Sequence, residues 1–348
     1  GNLALCRGEA GDAAGAAVAL AELVPAVERV LGPDHPGTLT TRINLALWQG
    51  EAGDPVSAAA SFAELVPAVE RVLGPDHPHT LTSRGNLAHW QGHAGDPAGA
   101  AAALAELVPA VERVLGPDHP DTLTARGNLA LCRGEAGDAA GAAVALAELV
   151  PAVERVLGPE HPYTLTTRSN LASWQGEAGD PVSAAASFAE LVPAVERVLG
   201  PDHPDTLTTR GILVHWQGSA GDPAGAVAAL SELLADLGRV LGPDHPYTLT
   251  TRSNLASWRG EAGDPVSAAA SFAELVPDVG RVLGPDHPDT LTVRGNLAHW
   301  QGHAGDPAGA VAALSELLAD LGRVLGPDHP DTLAARHSLG LWRGMGLH

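Results

Sequence analysis

Apolar and polar residues follow a pattern that repeats along the whole chain every 42 residues. Within residues 36–74, two stretches carry apolar residues at spacings of three, four and seven, which is the spacing of one helix face. A Gly-Asp-Pro turn at 53–55 separates the two stretches, and a Gly-Pro pair at 74–75 closes the second one. Each repeat is therefore predicted to form a helix, a turn and a second helix.

The first helix of this repeat is predicted to begin near Pro36, because the fixed φ of proline suits the first helical turn. Either Asp34 or His35 precedes it as the cap that accepts a free backbone N–H. Gly50 and Gly53 are expected to loosen and end the helix. Its predicted apolar stripe consists of Leu39, Leu45, Ala46 and Trp48.

The second helix is predicted to begin at Asp54 and Pro55, a capping residue followed by proline at the first helical position. Its predicted buried face consists of Ala58, Phe62, Leu65, Val69, Val72 and Leu73. Pro67 lies in the middle and should bend this helix rather than end it. Two units have Ala235 and Ala319 in its place, so their second helices should be straighter.

The repeat decides the predicted architecture. The segment Leu-Gly-Pro-(Asp/Glu)-His-Pro recurs with its glycine at positions 32, 74, 116, 158, 200, 242, 284 and 326. One helical hairpin cannot bury its own apolar face, whereas stacked hairpins bury it between neighbours. Aromatic residues make up only 3% of the chain, which argues against separate thick globular cores. We therefore expect an all-α solenoid of antiparallel helix pairs.

The predicted solenoid is one continuous array over residues 1–348. It comprises a partial first helix at 1–8, about eight 42-residue units, and an unpaired last helix at 331–343. Both ends of such an array expose apolar surface, and solenoids need polar caps. Head-to-tail stacking into oligomers or filaments is therefore an alternative function to be weighed.

The residues Asn44-Leu45-Ala46, Gly53-Asp54, Ala58 and the segment 73–78 resemble the tetratricopeptide repeat in its 42-residue, kinesin-light-chain-like form. The resemblance implies a right-handed α-α superhelix whose first helices line a concave groove that binds extended or helical peptide segments. Long arrays of this type resemble the sensor part of signalling ATPases, although no ATPase motif is present. One departure is Gln49, which stands where the family usually has an aromatic residue.

Comparison of the repeats with one another shows variation at three positions of the first helix, four residues apart, which share one helix face. The first series reads Ile43, Gly85, Gly127, Ser169, Gly211, Ser253, Gly295 and His337. The second reads Leu47, His89, Leu131, Ser173, His215, Ser257, His299 and Leu341. The third reads Glu51, His93, Glu135, Glu177, Ser219, Glu261, His303 and Met345. In the resembled family this face lines the groove, so we interpret the series as ligand contacts; the alternative is neutral drift on an exposed face.

Two further series have fixed places in the first helix. The asparagines are Asn44, Asn86, Asn128, Asn170, Asn254 and Asn296, interrupted by Ile212 and Ser338. In similar kinesin-light-chain arrays such asparagines hold the backbone of the bound peptide; the alternative is a capping or inter-helix hydrogen bond. The tryptophans are Trp48, Trp90, Trp174, Trp216, Trp258, Trp300 and Trp342, with Cys6 and Cys132 in the same place. We expect them to pack between helices with the indole N–H reaching a carbonyl or water, rather than to stack on a ligand.

The histidines raise the question of metal chemistry. Half of the 16 belong to the repeated loop and are read as structural. The pairs His89/His93 and His299/His303 have a spacing of four on one helix face, and Glu51 with Glu135 could complete a site around the first pair. Metal binding remains a weaker reading, because structural zinc needs four well-placed ligands. No nucleophile, zinc-protease or phosphate-loop motif occurs, so the chain is predicted to be non-catalytic and to need no cofactor.

Charge narrows the range of partners. The chain has 41 acidic residues against 20 basic ones, all of them arginine, for a net charge of −21. Such a surface repels nucleic acids and anionic membranes, and it favours a neutral or basic protein segment. Recurring acids of the Glu64, Glu70 and Asp76 types are read as solvated surface. Without an 18-residue apolar run or a signal peptide, a cytoplasmic location is expected.

Overall fold

The computed structural model describes residues 12–345, which form sixteen α-helices and no strand. The chain divides into two compact units, Gly1–Gly179 and Asp180–His348. The predicted partial first helix at 1–8 lies outside the described residues. The all-α fold class is confirmed, while one continuous array across both units stays a prediction.

The first unit contains eight of these helices. They are α1 Ala13–Leu31, α2 Pro36–Glu51, α3 Pro55–Leu73, α4 Pro78–His93, α5 Pro97–Leu115, α6 Pro120–Glu135, α7 Ala139–Leu157 and α8 Pro162–Glu177. Even-numbered helices are the predicted first helices of the repeats, and odd-numbered helices are the second ones. Each helix packs mainly on its neighbours in the chain, and each first helix also touches the next first helix in the pairs α4/α6 and α6/α8.

The second unit repeats this arrangement. Its helices are α9 Pro181–Leu199, α10 Pro204–Ser219, α11 Pro223–Val240, α12 Pro246–Glu261, α13 Pro265–Val282, α14 Pro288–His303, α15 Pro307–Val324 and α16 Pro330–Met345. The first helices α12, α14 and α16 contact one another in order. The helix predicted at 331–343 is present as α16, which begins one residue earlier and ends two residues later than predicted.

The loop before each first helix is closed by side-chain hydrogen bonds. His35 is the cap of α2: its Nδ1 accepts the backbone N–H of Gly37 at 3.0 Å, which decides between the two predicted caps. Thr38, fully buried, donates its hydroxyl to the carbonyl oxygen of Gly32 at 2.7 Å. Gly32 has φ +92°, a conformation that a side chain would strain. These bonds tie the start of each first helix to the end of the preceding second helix.

The second helices begin as predicted. Asp54 caps α3 by accepting the backbone N–H of Ser57 at 3.0 Å, and Pro55 follows at the first helical position. Pro67 lies inside α3 without ending it. Whether α11 and α15, which have alanine at this place, are straighter stays a prediction.

The buried face of α3 differs from its prediction at one residue. Ala58, Phe62, Leu65 and Val69 are buried, but Val72 is 37% exposed. Adjacent residues lie about 100° apart on a helix, so neighbours at the end of the stripe cannot both face the core. Leu73 packs against the core in place of Val72.

The core is a row of small clusters rather than one central mass. In the cluster around Phe62, buried residues come from α2, from α3 and from the next first helix, α4, which contributes Trp90. The cluster around Phe272 combines α12, α13 and α14 in the same way. In both clusters the second helix is thus covered by two successive first helices, the arrangement of a repeat protein in which each repeat touches only its neighbours.

Some of the recurring acids do more than solvate the surface. Asp76 accepts a hydrogen bond from Arg113 of the following second helix at 2.6 Å, and Glu64 lies 3.5 Å from Arg42. In the second unit, Asp236 pairs with both Arg210 and Arg239. The side chains of Glu64 and Asp76 are 77% and 64% exposed, which agrees with the prediction that these acids form solvated surface. Ion pairs between side chains this exposed add little to stability.

None of the helices within residues 12–345 is long and apolar enough to cross a membrane. The first helices have 16 residues. The second helices reach 18 or 19 residues, but they carry acidic and arginine side chains along their exposed faces.

Candidate functional site

Cavities open between consecutive first helices, with a second helix as the floor. Socket A, about 70 Å³, lies between α4 and α6 above α5. Socket B, about 200 Å³, lies between α12 and α14 above α13. Socket C, about 450 Å³, lies between α14 and α16 above α15. The face formed by the first helices therefore offers room for a ligand in both units.

Several residues predicted as ligand contacts line these sockets. Asn86 and Asn128 line socket A. Asn254, Ser257 and Asn296 line socket B. Ser257, Glu261, Asn296 and His299 line socket C. The predicted asparagine series and the first-helix stripe thus meet at the same openings.

Other predicted contacts lie on the first helices away from the three sockets. These are Asn44, Leu47, Glu51, His89, His93, Leu131, Glu135, Asn170, Ser173, Glu177, His215, Ser219 and His303. Leu47 and Leu131 pack against neighbouring core clusters, as aliphatic side chains at a helix seam are expected to do.

The asparagine amides are available for a ligand. Within residues 12–345, none of the six asparagine side chains in this series forms a hydrogen bond to another part of the chain. Asn254 is exposed, and the other five are half-buried. An inter-helix hydrogen bond therefore does not account for their recurrence. Each amide keeps both a donor and an acceptor free for an outside backbone.

Two glycines of the first variable series contact a tyrosine of the same chain rather than a ligand. Tyr163, at the start of α8, covers Gly127 of α6, so closely that an added Cβ would lie 2.8 Å from its hydroxyl. The hydroxyl of Tyr163 donates to the carbonyl oxygen of Leu123 at 3.2 Å. Burial raises the pKa of Tyr163. Tyr247 covers Gly211 in the same way in the second unit. The interpretation of Gly127 and Gly211 as ligand contacts is therefore corrected, because a tyrosine of the same chain covers each of them.

Five of the tryptophans pack between first helices, as predicted: Trp90, Trp174, Trp258, Trp300 and Trp342. Trp90, 6% exposed, lies against Gly50 of the preceding first helix, where an added Cβ would come within 2.4 Å of the indole ring. For Trp90 and Trp216 the expected hydrogen bond to a carbonyl is wrong, because their buried Nε1 atoms have no acceptor among the described residues; the alternative of a water stays a prediction. The six-membered ring of Trp90 lies against Gly50, and this orientation of the indole fixes the direction of its N–H. Trp300 and Trp342 additionally line socket C.

The histidine pair His89 and His93 does not form a metal centre with the acids suggested for it. Within the described range no three His, Cys, Asp or Glu side chains gather around a possible metal position, so Glu51 and Glu135 do not complete a site. The ring centroids lie 4.3 Å apart, and Nδ1 of His93 is 3.0 Å from the carbonyl oxygen of His89. Burial, and secondarily His93, lowers the pKa of His89 to about 4.

We expect His89 to titrate with a midpoint near pH 4 in an NMR titration, and the resonance to vanish in a His89→Gln variant. Because the folded pKa lies below the unfolded value of about 6.5, the unfolded chain binds the proton first as the pH falls. The folded state should therefore lose stability between about pH 6.5 and 4. The variant should lose less stability than the natural chain over this window. A midpoint near 6.5 would contradict the burial of this ring.

Sequence comparison finds models described as tetratricopeptide repeat at residues 1–70, 80–121, 164–205, 248–289 and 290–331. These matches span more than half of the chain. No curated protein sequence matches it.

Solved structures show a similar fold at low identity. A putative kinesin light chain with nearly identical TPR-like repeats from Podosopora anserina is 23% identical, with a TM-score of 0.53 over 59% of this chain and 97% of that one. A tetratricopeptide repeat protein from Parabacteroides merdae is 14% identical, with a TM-score of 0.58 over 88% and 98%. The signal transduction ATPase PH0952 from Pyrococcus horikoshii, which has a tetratricopeptide repeat sensor, is 10% identical, with a TM-score of 0.59 over 88% and 44%.

Proposed function

Because the chain belongs to the tetratricopeptide repeat family, we propose that it is a non-catalytic scaffold whose first helices bind an extended or helical segment of another protein. The observation that carries this proposal is that four asparagine amides without internal partners lie beside sockets between the first helices: Asn86, Asn128, Asn254 and Asn296. A peptide backbone presents both a donor and an acceptor at each residue, which matches what an amide side chain offers.

The charge of the chain supports a neutral or basic partner. A net charge of −21 attracts positively charged segments and speeds their association. Nucleic acids and anionic membranes, being acidic themselves, do not fit this surface.

A role as the sensor or adaptor part of a larger signalling protein is one form of this function. Its support is the likeness to the ATPase from Pyrococcus horikoshii that has a tetratricopeptide repeat sensor, which covers 88% of this chain and 44% of that one. A cytoplasmic location fits such a role and stays a prediction.

The asparagines can be tested with peptides selected from a displayed library of short random sequences. We expect an Asn254→Ala, Asn296→Ala variant to bind the selected peptides about thirtyfold more weakly, because each asparagine loses a hydrogen bond worth about 1 kcal/mol. Fluorescence anisotropy of the labelled peptides measures this loss. A Ser231→Ala, Ser315→Ala variant is the control, since these exposed serines lie on second helices and bond only within them. Equal binding by the asparagine variant and the natural chain would refute the proposal.

Head-to-tail self-association is the second candidate. Leu333 of α16 is 46% exposed, whereas Leu291, at the equivalent place in α14, is 2% exposed. An apolar side chain at this position is covered elsewhere by the neighbouring helices, so a second copy could cover it here. Self-association stays a prediction, which light scattering at rising protein concentration tests.

A further inference from the structure

The second residue of each first helix determines whether the space above the preceding repeat is filled or open. Along the chain this residue is Gly37, His79, Asp121, Tyr163, Asp205, Tyr247, Asp289 and Asp331. The two tyrosines fill the space, as described for Gly127 and Gly211. Three of the aspartates line the sockets: Asp121 lines A, Asp289 lines B and Asp331 lines C.

The chain's own tyrosines show what an open socket can hold. Above Gly85 in socket A and Gly295 in socket C, the nearest atom to an added Cβ is a leucine methyl of the floor, at 3.7 and 3.6 Å. At the equivalent place above Gly211, the phenol of Tyr247 stands within 2.3 Å. Sockets A and C therefore have room above these glycines for a long side chain that enters from the first-helix face and rests on the floor leucine, whereas socket B has Ser253 at the equivalent place.

The floors of the sockets are apolar and their rims are acidic. Leu107 and Val111 belong to the floor of socket A, and Leu317 and Leu321 to that of socket C. Each rim has an aspartate, and socket C also has Glu261. No arginine lines any of the three sockets. Burial lowers the pKa of His299, the one histidine among their lining residues, so this ring favours the neutral form.

The rim aspartates are not neutralised by the histidine that precedes them. In socket C, Nδ1 of His329 lies 3.7 Å from the carboxylate of Asp331. The same nitrogen accepts the backbone N–H of Asp331 at 3.3 Å, so it has no proton to donate to the carboxylate. Asp289 and His287 are arranged alike, at 3.8 and 3.2 Å. The carboxylates are 67% exposed and open to a partner from outside.

We propose that sockets A, B and C each bind an arginine or lysine side chain of the partner, with the methylene stem on the apolar floor and the cationic group at the rim aspartate. This proposal rests on the proposed function, and it identifies the side chains that the groove selects. Long cationic side chains bury their stems along apolar surface while the charge stays near water. The asparagines would hold the backbone of the segment, and the tyrosines would close the groove to large side chains at α8 and α12.

The cationic requirement can be tested with labelled, extended peptides of glycine, serine and alanine that carry two arginines at varied separations. A matched set has citrulline in place of arginine, which keeps the shape and removes the charge. We expect the best arginine peptide to bind at least about tenfold more tightly than its citrulline counterpart, and the difference to shrink with added salt. Equal affinity of the two sets would overturn the cationic assignment.

The sockets themselves are tested by filling them. An Asp331→Tyr variant places a tyrosine over Gly295, as Tyr163 and Tyr247 lie over Gly127 and Gly211, and we expect it to bind the arginine peptides at least about tenfold more weakly. Asp289→Asn, Asp331→Asn keeps the sockets open and should lose the preference for arginine over citrulline. The control Glu274→Gln, Glu316→Gln removes the same charge from exposed positions of second helices and should bind as the natural chain does. Circular dichroism verifies that the variants are folded.

The outcomes separate this proposal from the broader one. Unchanged binding by the tyrosine-filled variant, or no binding of any arginine peptide up to about 1 mM, would overturn the proposal that the sockets bind cationic side chains. The groove proposal would still stand if the Asn254→Ala, Asn296→Ala variant loses the library-selected peptides. Equal losses in the filled variant and in the glutamine control would show that net charge, and not the sockets, carries the binding.

Discussion

Gly50→Ala is expected to destabilise the first unit by about 3 kcal/mol, because its added methyl would overlap the ring of Trp90. The nearest ring atom would lie 2.4 Å from the new Cβ, and Trp90 is only 6% exposed, so the ring has little room to move. Overpacking of this kind outweighs the gain of up to about 1 kcal/mol that alanine brings to a helix. Urea denaturation followed by circular dichroism measures the loss, and amide hydrogen exchange in α2 and α4 localises it.

The chain contains a matched control 42 residues further on. Gly92 faces Cys132 instead of a tryptophan, and an added Cβ there would lie 3.4 Å from the sulfur, an ordinary contact. Gly92→Ala should therefore stay within about 1 kcal/mol of the natural chain. In a Trp90→Cys background, Gly50→Ala should cost much less than in the natural chain. Equal effects of Gly50→Ala and Gly92→Ala would show that the tryptophan does not determine the glycine.

Phe272→Ala is expected to cost the second unit about 3–5 kcal/mol, since it empties a fully buried site in the cluster shared by α12, α13 and α14. Such a loss is a large part of the stability of an ordinary domain. Neighbouring repeats can open separately, so amide hydrogen exchange in these three helices is the direct readout.

Phe272→Leu is the control for this prediction. The equivalent position is Leu230 in α11 and Leu314 in α15, both buried in the same framework. The change should therefore cost less than about 1.5 kcal/mol. Val266→Ala, at a site that is 63% exposed on the same helix, should stay within about 0.5 kcal/mol. A leucine variant as unstable as the alanine variant would contradict the view that this position requires only an apolar side chain of adequate size.

The glycine and phenylalanine predictions concern the framework, whereas the asparagines and the rim aspartates concern the ligand. The two sets differ in burial. Gly50 and Phe272 are buried between helices, and Asp289 and Asp331 are well exposed at the first-helix face. Changes in the second set should thus alter binding with little effect on folding.

Features that depend on neighbours in the chain were predictable from the sequence. The period, the turn at 53–55, the proline at the start of each helix and the cap Asp54 are all local signals, and the structure has them. The choice of His35 over Asp34 as the other cap was open, because both side chains can accept a backbone N–H and only the folded loop brings one of them to Gly37. Periodicity places both Val72 and Leu73 near the edge of the apolar stripe, and only the packed structure shows that Leu73 is the one that contacts the core.

Contacts between repeats could not be read from the sequence. The pairs Gly50/Trp90, Gly127/Tyr163 and Asp76/Arg113 join residues 36 to 40 positions apart, and no local pattern links them. The sockets belong to the same class, because each is enclosed by three or four helices of successive repeats.

The sequence by itself determined that the chain forms paired helices and which faces of those helices are apolar, because a helix is built from interactions within four residues. Only the tertiary structure decided which glycines are covered, which aspartates stand beside an open socket, and which amides remain without a partner. Those properties depend on what the adjacent repeat places opposite each residue. Repeats with the same local sequence pattern can therefore differ: in some a tyrosine fills the space between two first helices, and in others that space is an open socket with an aspartate at its rim.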